Sequence, residues 1–85
     1  MPSAPRILRA IPEGVVTRPA AGISVIARLQ WHGGDTTEVA ATAVAWTARA
    51  VEIDWTTPWG DRRRDWVPAD QVRRARGRAT PPPRR

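Results

Sequence analysis

Eighty-five residues with five Trp, nine Pro, six Gly and no Cys, Lys, Phe or Tyr make one small domain at most, without room for separate cofactor and substrate domains. The missing Cys excludes disulfide staples, thiolate nucleophiles and thiolate metal sites, and one His without Lys or Tyr leaves few acids or bases, so a non-enzymatic protein with no cofactor and no metal is expected. The formal charge of +6 is uneven: residues 1–22 carry +2, residues 23–72 carry −2, and residues 73–85 carry +6 without a single acid.

Residues 1–21 hold four prolines and no sustained period, and read as a partly ordered arm. Ile7, Leu8, Ile11, Val15 and Val16 are apolar enough for part of it to lie on a core as a short strand. No secretory apolar run and no stretch near 18 apolar residues occurs, so no membrane span and a cytoplasmic location are expected.

From Gly22 the pattern changes. Ile23, Val25, Ala27, Leu29 and Trp31 alternate with Ser24, Arg28 and Gln30, which predicts a half-buried strand with Ile26 as the one dissenter. His32-Gly33-Gly34-Asp35 follows as a turn, because glycine supplies the positive φ a hairpin needs. Residues 36–50 have two readings. Asp35 and Glu38 could form a capping box, with Val39, Ala43, Trp46 and Ala50 on one helical face. Thr42, Val44 and Trp46 also alternate strictly with Ala41, Ala43 and Ala45, in the residue types that strands prefer.

Val51, Ile53 and Trp55 alternate with Glu52, Asp54 and Thr56 in a clearer strand. Pro58-Trp59-Gly60-Asp61 makes a loop, and RRRDWV returns as a strand with Trp66 or Val67 inward. Pro68 to Gln71 is a tight turn that fits one 3₁₀ turn, and Val72 opens a last short strand. Residues 75–85 lack an apolar face and read as a disordered Arg/Pro-rich tail. Val, Ile, Thr and Trp together number 26 against two Leu, which favours an all-β core.

The segment DWVPADQVRR resembles the closing motif of SH3 domains, with Val67, Pro68, the turn Ala69-Asp70-Gln71 and Val72 in the matching positions. The resemblance covers roughly residues 23–74, within an expected barrel domain of residues 22–74. It implies a small SH3-like barrel of about five strands, with a 3₁₀ turn near 68–71 and flexible termini. The aromatic opening and acidic first loop of the eukaryotic family are absent here, so proline-rich peptide binding does not carry over. SH3-like barrels include nucleic-acid-binding and protein-docking modules. The abundance of Gly, Ala, Arg and Pro, 43 of 85 residues, also resembles that of small actinobacterial proteins from GC-rich genomes.

The candidate nucleic-acid-binding residues are Trp59, Arg62, Arg63 and Arg64 at the loop, and Arg73, Arg74, Arg76 and Arg78 towards the tail. An exposed Trp59 offers a face for base stacking, and guanidinium groups hold phosphates. Two plainer roles compete. Trp59 could lid the barrel, and the Arg triplet could answer Glu52 and Asp54 across the hairpin. Trp31, Trp46, Trp55 and Trp66 read as core or rim, since a chain without Phe must take large apolar area from Trp. His32 and Asp35 are too few for a zinc site and belong to a turn. The expected function is non-specific binding of DNA or RNA by a monomer or weak dimer. The alternative is a protein–protein adapter using the mildly acidic barrel surface.

Overall fold

The computed structural model describes residues 6–75. It is all-β, with five antiparallel strands in one sheet: β1 (Ile23–Gln30), β2 (Thr36–Trp46), β3 (Ala50–Thr56), β4 (Arg62–Pro68) and β5 (Val72–Arg74), in the order β4-β3-β2-β1-β5. One 3₁₀ turn, Ala69–Gln71, joins β4 to β5. Those two strands end opposite edges of the sheet, and a flat sheet would hold them roughly 19 Å apart at about 4.8 Å per strand. Three residues of 3₁₀ rise only about 2 Å each, so the sheet must curl for the turn to reach.

Residues 36–46 settle as strand. The capping box of Asp35 and Glu38 does not form; Glu38 instead pairs across the sheet with Arg28, and Thr36 with Gln30. β-branched residues and the two preceding glycines favour this outcome, since Gly33 and Gly34 turn the chain at φ +115° and +103°. A bulge between Ala43 and Ala45, where β2 faces Ile53 and Glu52 of β3, bends the strand into the curl.

The interior alternates large and small. Leu29, Ile53, Trp55 and Val67 are buried with Val25, Ala27 and Ala43 in one cluster, a mixture that fills a narrow curled sheet without overpacking. In β4 the inward residue is Val67, and Trp66 is half-buried. Parity then carries Asp65 inward as well, where it is buried beneath Trp55. Thr47 and Thr57 are buried at the two following hairpins. The Thr47 hydroxyl accepts the Arg49 and Ala50 amides, and the Thr57 hydroxyl accepts the Asp61 amide.

The arm is bonded to three strands. Ile7 bridges Trp31 and is buried in the core, the Leu8 amide donates to Gln30, and the Ala10 amide donates to Trp66 of β4 at 2.9 Å. Further on, Thr17 bridges Trp46 at the end of β2. On β1, β5 covers Val25 to Ala27, and the arm takes up the far end of the same strand. No helix among the described residues is long and apolar enough to cross a membrane.

Candidate nucleic-acid interface

The loops Trp31–Asp35 and Thr57–Asp61 are built alike. In each the first residue's amide donates to the last residue's carbonyl at 2.8 Å, and a glycine amide donates back to the first carbonyl. Two rings are held there. Trp59 lies 6.0 Å from Trp31, and Trp31 lies 6.2 Å from Trp55 in an edge-to-face contact. The three indoles grade from buried Trp55 through half-buried Trp31 to Trp59, which is 49% exposed. Trp59 therefore neither stands free nor caps the interior: one side leans on Trp31 and much of its surface faces water. The Trp31 indole N–H is tied to the Thr37 hydroxyl at 3.2 Å, which fixes the supporting ring.

Beside this stack, a cleft of about 530 Å³ runs between the arm and β4. Its lining includes Arg6, Arg9, His32, Arg64 and Trp66, with Asp65 at the base. Arg6 has no carboxylate within 4 Å among the described residues, and its carbonyl accepts the His32 amide at 2.8 Å. Asp65 is fully shielded and triply engaged. It accepts the Trp55 indole N–H at 2.8 Å and Arg63 at 3.1 Å, and Arg9 reaches it at 3.6 Å.

The Arg triplet does not form one patch, because alternate residues of a strand face opposite ways. Arg62 and Arg64 lie on the outer face with Asp54, Arg62 by two bonds of 3.1 and 3.2 Å and Arg64 at 3.6 Å. Arg63 turns to Asp65. Glu52 does not answer the triplet; it binds Arg18 of the arm at 3.1 Å. Arg73 forms a two-point pair with Glu38 at 3.1 and 3.4 Å, and exposed Arg74 ends β5. Arg76 and Arg78 lie outside the described residues. The predicted arginines are thus not brought together at one site, and Arg73 stands on a different part of the sheet from Trp59.

Arg6, Arg9 and His32 join the site without having been singled out for it. Their only sequence signal is the apolar Ile7-Leu8 pair that docks the arm.

The outer pairs make stability sensitive to acid. The bond from Arg73 holds the Glu38 carboxyl below its ordinary value, and the bond from Arg62 does the same for Asp54. A carboxyl depressed in the folded chain binds protons more readily in the unfolded one. The stabilisation is present above the ordinary carboxyl range of about pH 4 and is lost as pH falls through the lower folded values. Urea midpoints should therefore drop between about pH 4 and pH 2, with a slope that shrinks in Glu38→Gln and Asp54→Asn. Because both pairs border water, about 1 M salt should weaken the effect.

Comparison with known protein families, curated proteins and solved structures finds no match to this chain in any of the three.

Proposed function

We propose that this protein is a non-enzymatic nucleic-acid-binding module of the SH3-like barrel type. The observation that carries the reading is the exposed Trp59 ring, braced by Trp31, whose chain neighbour His32 lines the Arg6–Arg9 cleft. A fixed ring with basic groups beside it is the arrangement that holds a base and its phosphates. The strand order and the 3₁₀ turn before β5 support the SH3-like part of the reading.

Affinity comes from arginine in two places: Arg6 and Arg9 of the cleft with Arg63 of β4, and Arg74, Arg76, Arg78, Arg84 and Arg85 at the end of the sequence. Each phosphate contact releases counterions, so affinity should fall linearly with salt on logarithmic axes, by about 0.9 in slope per contact for duplex DNA. Removing residues 76–85, which hold four arginines, should flatten that slope by about two to four. Fluorescence anisotropy between about 50 and 200 mM salt measures it. An unchanged slope would take the tail out of the mechanism.

The exposed apolar arm supports the second reading, protein docking. Ile11 is 78% and Val15 86% exposed, and the ion pairing of Arg62, Arg64 and Arg73 leaves less free charge than the sequence promises. An NMR titration with a short oligonucleotide separates the two. Shifts at the Trp59 indole support nucleic acid, and shifts confined to arginine-rich segments that vanish with salt turn the search to a protein partner.

A further inference from the structure

We infer that the ligand of the Trp59 site is a single strand, taken up by stacking an unpaired base on the Trp59 ring with its flanking phosphate in the cleft beside Arg6. This rests on the nucleic-acid reading above and narrows it. A π-face is what Trp59 offers, and in a duplex the faces of the bases are hidden in their own stack. Only an unpaired base presents a face that the ring can cover.

The surrounding geometry points the same way. Duplex readers insert a helix or a projecting β-ribbon into a groove. Among the described residues there is no α-helix, and the two loops that carry Trp31 and Trp59 are tight turns closed by their own hydrogen bonds. The ring is pre-organised instead. Trp31 supports it, and Trp31 is itself held by Trp55 and by Thr37.

The cleft supplies the matching charge. Trp31 connects the two halves of the site, since it touches Trp59 on one side and bridges Ile7 on the other, next to Arg6. Arg6 is the guanidinium there without a carboxylate partner among the described residues, so a phosphate need not displace an existing ion pair. Both DNA and RNA single strands carry this base-and-phosphate chemistry.

The test uses the full chain with a ten-nucleotide oligo(dT), the matching oligo(rU), and a ten-base-pair duplex, at 50 and 200 mM salt. The oligo(dT) and oligo(rU) arms distinguish the two sugar chemistries. Binding of at least one single strand should be about tenfold tighter than binding of the duplex. Trp59→Ala should weaken it roughly 5- to 150-fold, the span of one stacked base, while leaving duplex binding unchanged. Trp59→Phe should restore most of the loss, and Arg6→Ala should lower the single-strand salt slope by about 0.7. The Trp55 indole resonance, whose N–H is bonded to buried Asp65, reports that each variant keeps its fold. Equal affinity for strand and duplex, or an equal loss on both in Trp59→Ala, overturns the single-strand inference and leaves the broader reading standing. Failure to bind either at 50 mM salt overturns both.

Discussion

Asp65→Ala is expected to destabilise the protein by about 2–3 kcal/mol, and Asp65→Asn by clearly less. The carboxylate is fully shielded, and its shortest bond is the one from the buried Trp55 indole at 2.8 Å. Alanine strands that N–H in the interior, and an unsatisfied buried donor costs about 1–3 kcal/mol. The two arginines behave differently. Arg9 and Arg63 keep 56% and 40% of their side chains in water, so they rehydrate when the carboxylate goes. Losing the acid therefore does not leave a buried unpaired cation, the case in which breaking an ion pair costs most. Asparagine keeps an acceptor for the indole and loses only the charge. Urea unfolding followed by tryptophan fluorescence gives both numbers. Equal losses in the two variants would mean that charge, not the indole bond, makes Asp65 matter.

Ile7→Ala should cost about 2–4 kcal/mol, as truncation of a well-packed aliphatic side chain usually does. Ile7 is 5% exposed and belongs to the same cluster as Leu29, Ile53 and Trp55, although the chain from residue 8 to residue 22 is largely exposed. Among the arm's described residues it is the one apolar side chain buried in the core. The expected signature is accordingly regional. Hydrogen exchange should quicken at Leu8 and Ala10, whose amides donate to Gln30 and Trp66, more than at the centre of β3. A loss under about 1 kcal/mol, with those amides still protected, would show that the arm is held by its backbone bonds alone.

The strands were readable because their alternation is strong and their ends are punctuated. Val51, Ile53 and Trp55 sit between polar residues, and Gly33, Gly34 and Gly60 mark the reversals. Residues 36–46 were ambiguous because alanine suits either period, and cross-strand pairing with β1 and β3 decided for the sheet. The arm was hardly legible. It joins the sheet at isolated bridges, Ile7 with Trp31 and Thr17 with Trp46, and single bridges leave no period behind. Asp65 escaped notice through parity. With either Trp66 or Val67 inward, nothing in RRRDWV showed the acid turning towards Trp55. Nor could the pairing of Glu52 with Arg18, 34 residues away, be read from local spacing.

The arm's bonds also set a timetable. The hairpins β1–β2, β2–β3 and β3–β4 join neighbours in sequence and can form as the chain leaves the ribosome. The amide of Ala10 has to wait for the carbonyl of Trp66, and Thr17 for Trp46, each closing a long loop before any packing repays the lost chain entropy. Until β4 has been synthesised, Ile7 has no finished core to enter. The nascent chain's most aggregation-prone interval therefore ends once β4 has emerged and Ile7 finds its seat.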